Sequence, residues 1–529
     1  MDSFRRWVFL ALLALAVDAF AATSRRPNVL FIISDDLNNL QGCYGDPRAR
    51  TPNIDKLAAR GARFDLAYCT YSLCGPSRNS MLTGLYPNST GVLGNSQLFR
   101  QAIPDHISLP QAFRHEGYLA VRLGKLYHYG VPVGIGTDGH DDPASWEMEF
   151  NPAGVDRLAE EKKVFTIVPG NYGATLSWLA SPSGDAKHTD GMLADQAEWV
   201  LERCAQRKDQ PFFVALGFFR PHTPFVAPKD PYFSYYPEAE MPLVRDVEED
   251  RKDIPAAALT SRRREDEALN DDLRRKAVQA YYASISFVDA QVGRVVNALD
   301  RLGLADNTVI VFTSDHGFHL GEHGLWKKHT LFEESARVPL LIVAPGITRR
   351  GSVVKTPVSH IDLYPTLAEL AGVKTPTNLQ GQSLVPILKD PTVRGRGWAL
   401  TQVVRGGGGE GEGEGIANRK AGAGEEGGRK KKKAASAEEP SGRSRSFGYS
   451  LRTARWRYTE WGESAKLGRE LYDHDQDPKE LTNLAALRAH AGTVQQLSQQ
   501  LAAAVKSSYP ASGKSPERRD IMWSPVLVK

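Results

Sequence analysis

The chain has 529 residues, of which 41% are hydrophobic and 24% charged, and its formal net charge is +4. This length is enough for a large core and for two domains, and the composition is that of a globular protein. The small net charge excludes a broad basic surface, so no nucleic-acid partner is predicted. The 4 cysteines allow one disulfide bond but exclude a disulfide framework.

The first residues have the pattern of a secretory signal peptide. Arg5 and Arg6 precede an apolar run at 7–17, and the sequence AFA at 19–21 has the small-residue pattern of a cleavage site. The run is too short to span a membrane and no later stretch reaches that length, so no transmembrane segment is predicted. We expect a signal peptide at 1–21 and export to the periplasm, the extracellular space or the lysosome.

The first predicted strand of the exported chain is the apolar run PNVLFIISDD at 27–36, which ends in Asp35 and Asp36. Strand-end acids are often only turn formers. Whether these two do more depends on what lies beside them in the sheet.

The stretch TYSLCGPSRNSMLTG at 70–84 predicts a short helix, with Pro76 in its first turn and Gly84 at its end. Cys74 would lie at the N-terminus of this helix, where exposed backbone N–H groups lower the pKa of a thiol. From these residues alone, Cys74 fits either a reactive group or an ordinary buried thiol.

Two further apolar strands are predicted, PFFVALGFFRPH at 211–222 and NTVIVFTSDHG at 307–317, and each follows a helix-like stretch. Helices alternating with apolar strands predict an α/β fold with a mostly parallel sheet covered on both faces. Ligands of such sheets bind outside the carboxyl ends of the strands. Asp315, His316 and His222 are therefore predicted to lie on the same sheet edge as the first strand's acids.

The composition changes after a predicted helix at 358–373. A Gly/Glu/Lys-rich segment at about 405–446 cannot bury a core and is predicted to be a disordered insertion. Strands at 448–461 and 469–485 and a closing helix at 490–505 follow it. We predict a catalytic domain at 22–395 and a smaller α+β C-terminal subdomain at 396–529 that contains the insertion.

Three carboxylates, those of Asp35, Asp36 and Asp315, would repel one another at one sheet edge unless a cation joined them. An oxygen-rich set suits Ca²⁺ or Mg²⁺, and His316 leaves Zn²⁺ as the next option. A thiolate is a poor ligand for such a hard cation. Either Cys74 is unrelated to the acids, or it does not remain a cysteine.

The stretch CGPSR followed by MLTG resembles the C-x-P-S-R…LTG signature of the type I, formylglycine-dependent sulfatases of the alkaline-phosphatase superfamily. Further motifs occur in the order of that family, and they are IISDD, GKLYH, RPHTPF, SDHGFHLGEHGLWKKH, HIDLYPTLAELAG and ELYDHDQDPKELTNL. The resemblance extends over about residues 27–485, and within the family it is greatest to the iduronate-2-sulfatases. It implies an alkaline-phosphatase-like fold, with a large mixed, mostly parallel sheet flanked by helices and a smaller C-terminal α+β domain.

The resemblance also implies that Cys74 is oxidised to Cα-formylglycine, which requires a formylglycine-generating enzyme or an equivalent partner. The hydrated aldehyde offers oxygen to the cation and so removes the mismatch with the thiolate. The implied cation is Ca²⁺ in preference to Mg²⁺, and its implied ligands are Asp35, Asp36, Asp315, His316 and the modified Cys74.

The resemblance also implies roles for the other matching positions. Arg78 resembles the arginine that steadies the formylglycine, and His128 resembles a histidine bonded to one of its hydroxyls. Lys125 and Lys328 resemble the lysines that bind sulfate. Lys327 is adjacent to Lys328 and is the alternative for the second position. His222 resembles the histidine that protonates the leaving alcohol.

The predicted function is therefore that of an exported sulfuric ester hydrolase acting on a sulfated saccharide. A 2-O-sulfated uronic acid is the first expected substrate, and other sulfated polysaccharides and small sulfate esters stay open. Specificity is expected from the segment LYPNSTGVLGNSQLFRQAIPDH at 85–106. A phosphodiesterase or phosphonate hydrolase of the same superfamily and a catalytically silent binder of sulfated glycans are the alternatives. The few cysteines and the insertion favour a bacterial exported protein.

Overall fold

The computed structural model describes residues 26–406 and 445–519. The predicted signal peptide at 1–21 lies outside the described residues, as does almost all of the predicted insertion, at 407–444. Within the two described ranges, no helix combines the length and the apolar character that a membrane span needs.

The strands of the described residues, numbered in chain order, are β1 (Asn28–Asp35), β2 (Ala62–Phe64), β3 (Ala67–Tyr68), β4 (Leu119–Gly124), β5 (Met148–Phe150), β6 (Phe165–Thr166), β7 (Ser177–Ser181), β8 (Phe212–Pro221), β9 (Phe225–Pro228), β10 (Thr308–Ser314), β11 (His319–Leu320), β12 (Trp326–Lys327), β13 (Arg337–Val338), β14 (Leu340–Val343), β15 (Ser352–Val354), β16 (Val358–Ser359), β17 (Trp398–Arg405), β18 (Ser446–Thr453), β19 (Trp456–Trp461) and β20 (Arg469–Asp473).

The α-helices of the same residues are α1 (Pro52–Arg60), α2 (Cys74–Thr83), α3 (Pro87–Thr90), α4 (Leu109–His115), α5 (Val155–Leu158), α6 (Thr189–Ala205), α7 (Val247–Asp250), α8 (Arg264–Glu267), α9 (Asp271–Arg301), α10 (Glu333–Ala336), α11 (Leu363–Ala371), α12 (Val385–Lys389) and α13 (Ala491–Ser507).

The central sheet has eight strands in the spatial order β15-β2-β14-β10-β1-β8-β4-β5. The run β10-β1-β8-β4-β5 is parallel throughout, whereas β14 pairs antiparallel with both β10 and β2. All eight residues of β1 are buried, as expected for a central strand with helices on both faces.

The side chains of β1 alternate between two apolar cores. Leu30 and Ile32 belong to the core that contains Val288 and Val292 of α9. Val29, Phe31 and Ile33 belong to the opposite core, which contains apolar side chains of α4 and α11. Helices therefore cover both faces, and the predicted α/β fold with a mixed, mostly parallel sheet is confirmed.

The smaller sheet is antiparallel and has the order β17-β18-β19-β20. Leu497 and Leu501 of α13 share an apolar core with Leu451 of β18 and Tyr458 of β19. This arrangement confirms the predicted smaller α+β unit at the C-terminal end.

The helix predicted near Cys74 is also present. It begins at Cys74 and ends at Thr83, and Gly84 follows it with a φ of 68°, a left-handed conformation that glycine adopts without steric cost. All four cysteines are free thiols, so the single disulfide that the cysteine count allowed is not formed.

Candidate active site

The acids at the ends of two parallel strands lie side by side. Ser34 of β1 is in register with Ser314 of β10, so Asp35 and Asp36 are level with Asp315. The Asp36 backbone N–H donates to Asp315 Oδ1 over 3.1 Å. The sheet edge predicted from the strand endings is therefore formed.

Cys74 reaches this edge because it is the first residue of α2, a helix whose ten residues are all buried. Its Sγ lies 3.3 Å from His316 Nε2, 3.2 Å from Lys328 Nζ and 3.9 Å from Asp36 Oδ1. The thiol and the strand-end acids therefore belong to one site.

The prediction that the helix N-terminus lowers the pKa of Cys74 is wrong. Burial raises the pKa of this thiol well above its ordinary value, although Lys125 and Lys328 oppose the shift, and Asp35 and Asp315 add to it. Desolvation exceeds the effect of the helix terminus because the side chain is completely buried. As a thiol, Cys74 is therefore protonated and a weak nucleophile at neutral pH.

Arg78 is one helical turn after Cys74, so both side chains leave the same face of α2. Its Nη2 donates to Asp35 Oδ1 over 2.7 Å, and its Nε donates to Asp315 Oδ2 over 2.9 Å. Burial raises the pKa of the Asp35 carboxyl, but Lys125 and Arg78 outweigh burial and hold that pKa well below its ordinary value. Arg78 thus fixes two of the three strand-end carboxylates in place as anions.

Lys125 follows β4, where Gly124 and Gly217 of β8 face each other. A Cβ at Gly217 would lie 2.0 Å from the Lys125 carbonyl oxygen, so glycine permits the close approach of the two strands. The Lys125 Nζ donates to Asp35 Oδ2 over 2.7 Å. The predicted lysine is therefore inside the site.

The two adjacent lysines have different partners. Lys328 Nζ donates to Asp36 Oδ1 over 2.7 Å, whereas Lys327 Nζ donates to Asp266 Oδ2 over 3.1 Å. Of the two, Lys328 is the one that contacts both Cys74 and an acid of the cluster.

The two predicted histidines outside the acid cluster are buried. His222 Nδ1–H donates to the carbonyl oxygen of Thr223 over 2.6 Å, which leaves Nε2 3.9 Å from Asp36 Oδ2. His128 lies three residues after Lys125, and its ring centroid is 6.1 Å from that of His140.

The donor set fits a divalent cation. Asp36 is 1% exposed, and its Oδ2 has no hydrogen-bond partner among the described residues. Burial, together with Asp35 and Asp315, raises the pKa of the Asp36 carboxyl well above its ordinary value despite Lys328. A cation beside it would reverse this shift, because it stabilises the charged carboxylate.

His316 is oriented as a ligand. Its Nδ1–H donates to the Gly317 carbonyl oxygen over 2.9 Å, so the Nε2 lone pair faces Asp36 Oδ1 at 3.4 Å and Asp315 Oδ2 at 3.6 Å. Burial lowers the pKa of His316 to about 4, so the imidazole is neutral at neutral pH. A histidine whose other nitrogen donates to a carbonyl is typical of metal sites.

The pocket above the cluster contains residues to which no role had been assigned from sequence. Asn95 accepts from the Gly75 backbone N–H over 2.8 Å through Oδ1 and lies within the segment 85–106. The prediction that this segment determines specificity is the sequence feature that points to Asn95. The residues that line this pocket are Asp36, Asn95, Gly173, Ala174, His222, Thr223, Phe318, Lys327 and Lys328.

Comparison with known proteins identifies the family of the chain. Residues 27–373 match the family described as Sulfatase. A protein named Sulfatase from Formosa agariphila is 36% identical over 381 residues, which cover 69% of this chain and 73% of that protein. Iduronate 2-sulfatase of Mus musculus is 35% identical over 394 residues, which cover 66% of this chain and 69% of that enzyme.

Among solved structures, the phosphonate monoester hydrolase of Agrobacterium radiobacter has a TM-score of 0.71 at 24% identity, covering 91% of this chain and 96% of that chain. This similarity shows a shared fold. The sequence matches decide the family: the chain belongs to the sulfatases and is a sulfuric ester hydrolase, as predicted.

Proposed function

We propose that this sulfatase hydrolyses sulfate esters of a sulfated carbohydrate and that its nucleophile derives from Cys74, converted to Cα-formylglycine. The observation that carries the proposal is the position of Cys74 Sγ, 3.3 Å from His316 Nε2 and 3.2 Å from Lys328 Nζ among buried acids. A protonated thiol is a poor ligand for a hard cation. A hydrated aldehyde at the same position offers oxygen atoms instead.

The cation proposed for the acid cluster is Ca²⁺, with Mg²⁺ as the less favoured ion. Asp35, Asp36, Asp315 and His316 would hold it together with the modified residue 74. Three carboxylates suit a hard, oxygen-preferring ion. When bound, the cation supplies positive charge beside the transferring sulfuryl oxygens, and the formylglycine hydrate supplies the hydroxyl that attacks sulfur.

Lys125 and Lys328 bind the sulfate oxygens in this proposal. Each Nζ is held by one acid, Asp35 or Asp36, at 2.7 Å, so both ammonium groups are already oriented toward the site. Preorganised charges of this kind stabilise the charge that develops in sulfuryl transfer. Arg78 acts as a positioning residue through Asp35 and Asp315.

Two histidines move protons. His222 donates a proton from Nε2 to the leaving alcohol, and its Nδ1 bond to Thr223 fixes the ring for that step. His128 accepts the proton of the second hydroxyl, which allows sulfate to leave and the aldehyde to re-form. A gem-diol permits this release, whereas serine or cysteine has no second hydroxyl.

The proposed substrate is a saccharide that carries a 2-O-sulfated uronic acid. The support is the 35% identity to a protein named Iduronate 2-sulfatase. Asn95 in the segment 85–106 and Thr223 line the pocket and are the side chains proposed to contact the sugar.

We also propose that residues 1–21 direct export and that the domain boundary lies near residue 395. The supporting observations are the charged-then-apolar pattern at 5–17 and the start of the C-terminal sheet at Trp398. Maturation requires an oxidising partner of the formylglycine-generating type.

The test is mass spectrometry of the peptide that contains Cys74, from protein produced in its native host, combined with turnover of an aryl sulfate and an aryl phosphodiester. We expect the aldehyde mass, reaction of that peptide with a hydrazide, and preference for the sulfate ester. Active protein that carries only the thiol contradicts the formylglycine nucleophile. Disaccharides sulfated at the uronate 2-O, glucosamine N or glucosamine 6-O position then distinguish the substrates.

A further inference from the structure

A second group of potential metal ligands lies away from the catalytic pocket. His323 is in the segment between β11 and β12, Glu334 is in α10, and Glu480 is in the segment after β20. One ligand atom from each, an imidazole nitrogen and two carboxylate oxygens, lies within 4.8 Å of the others. We refer to these three residues as the His323 cluster.

The imidazole of the His323 cluster is held as metal-binding histidines are. Its Nδ1–H donates to Asp250 Oδ2 over 3.0 Å, and Phe332 stacks on the ring with centroids 4.0 Å apart. A carboxylate on one imidazole nitrogen fixes the tautomer in which the other nitrogen is a ligand. His323 also has a φ of 55°, a strained left-handed conformation for a residue with a side chain.

The other ring nitrogen of His323, Nε2, faces Glu334. His323 is 1% exposed, and its Nε2 has no hydrogen-bond partner among the described residues. Glu334 has a side chain that is 21% exposed, but its Oε2 is buried, has no hydrogen-bond partner among the described residues and lies 3.9 Å from that nitrogen. Two unsatisfied buried atoms that face each other are costly unless a ligand joins them.

Three carboxyl groups act on the His323 imidazole. Burial lowers the pKa of His323, but Asp250, Glu334 and Glu480 outweigh burial and raise it to about 9. Arg457 donates to Glu480 Oε1, and the Glu333 backbone N–H donates to Glu480 Oε2 over 2.9 Å. Arg251 donates to the backbone carbonyls of His323 and Gly324 instead of to an acid of the cluster.

A neighbouring group, formed by Glu333, His474 and Glu480, shows the contrast. There His474 Nε2 is bonded to Glu480 Oε1 at 2.8 Å, and Arg457 donates to both glutamates. Glu480 belongs to both groups and is paired by these side chains, so Glu334 is the carboxylate of the His323 cluster that has an oxygen without a hydrogen-bond partner among the described residues.

We propose that His323, Glu334 and Glu480 bind a second divalent cation, of the Zn²⁺ or Mn²⁺ class. An imidazole with two carboxylates favours such a borderline ion over Ca²⁺, which prefers oxygen ligands throughout. The cluster shares no residue with the catalytic acids. Glu480 follows the C-terminal sheet whereas His323 and Glu334 follow β10, so the ion links the two parts of the molecule.

The test uses the full-length chain, dialysed free of metal and titrated with Zn²⁺, with bound metal counted by elemental mass spectrometry. His323→Gln is expected to lower the bound Zn²⁺ by one equivalent per chain, both in the parent and in an Asp36→Asn background. Glu248→Gln is the matched control, because Glu248 is on α7 beside Asp250 but its side chain is 86% exposed. This control should leave the count unchanged.

Substitution with Co²⁺ supplies a second readout, since loss of the imidazole ligand changes the visible absorption of the bound ion. Glu334→Gln replaces His323→Gln if circular dichroism shows that the latter is unfolded. An equal Zn²⁺ count and an identical Co²⁺ spectrum in the parent and the folded variant overturn the proposal and leave His323 and Glu334 as an ion pair. The result is independent of Cys74 conversion, so a failure of the sulfatase mechanism would be seen separately.

Discussion

Lys328 donates from Nζ to Asp36 Oδ1 over 2.7 Å, and the same Nζ lies 3.2 Å from Cys74 Sγ. Lys327, its neighbour in the chain, donates instead to Asp266 over 3.1 Å. Lys327 has a φ of 73°, which turns the backbone between the two side chains. The chain thus contains a matched pair of buried lysines with different partners.

Replacement of these lysines should separate their roles. Lys328→Met is expected to reduce kcat on an aryl sulfate by about 10²–10³-fold, because it removes a preorganised charge from the sulfuryl group. Lys327→Met should leave kcat near the parent value and affect mainly KM, since Lys327 lines the pocket and its Nζ donates to Asp266. Steady-state kinetics on both variants measures the difference. Equal losses of kcat would contradict the assignment of Lys328.

Arg78 should be a large contributor to stability. Arg78→Met leaves Asp35 and Asp315 buried without their shared partner, and we expect the free energy of unfolding to fall by about 3–5 kcal/mol. The matched control is Arg60→Met, whose ion pair with Asp300 is 25% and 49% exposed and should contribute at most about 1 kcal/mol. Urea unfolding measures both, and a similar small effect in each variant would show that Arg78 is not required to hold the acids.

A buried histidine should make stability depend on pH. Burial lowers the pKa of His106 to about 4, while its Nε2–H donates to the Thr83 carbonyl over 2.8 Å. In the unfolded chain this pKa is about 6.5. As the pH falls from 6.5 to 4, the unfolded chain binds a proton that the folded chain does not, so this contribution to stability decreases by up to about 3 kcal/mol.

The measurement for His106 is urea unfolding at several pH values between 7.5 and 4. His106→Gln should flatten the pH dependence over this window relative to the parent. His115→Gln changes an exposed histidine and should retain the parent dependence. An unchanged slope in His106→Gln would show that other groups account for acid destabilisation.

Removal of the proposed cation should strongly reduce activity without unfolding the chain. Asp35 and Asp315 retain Arg78 as a partner, so the fold does not depend on the ion alone. We expect dialysis against a Ca²⁺ chelator to lower kcat by at least about 10²-fold, as loss of transition-state charge stabilisation implies. Added Ca²⁺ should restore it more fully than Mg²⁺. Asp36→Asn should bind Ca²⁺ weakly and resist this rescue, whereas full activity of the chelated enzyme would exclude the proposed role of the ion.

Much of the fold could be predicted from local pattern. The apolar runs that became β1, β8 and β10 are of strand length and end in acids or histidine, and Gly84 marked the end of α2. These signals are local, because strand burial and helix capping depend on residues close together in sequence. The short strands β3, β13 and β16 have no such pattern and form only through pairing with distant segments.

The types and positions of the site residues could be predicted from the sequence, but their pKa shifts could not. The position of Cys74 at a helix N-terminus suggested a lowered thiol pKa, and the folded chain raises it. The local helix effect is smaller than the desolvation that comes from packing α2 against the strand ends, which no short stretch reveals.

The sequence by itself determined the alternation of strands and helices, the cluster of acids at strand ends and the family motif around Cys74. Only the tertiary structure decided that Arg78 joins Asp35 to Asp315, that Lys328 contacts Cys74 while Lys327 donates to Asp266, and that Glu480 lies beside His323. Such contacts join segments that are 43 to 292 residues apart among the catalytic groups. Their energies depend on burial and on the direction of each side chain, and both exist only once the chain has folded.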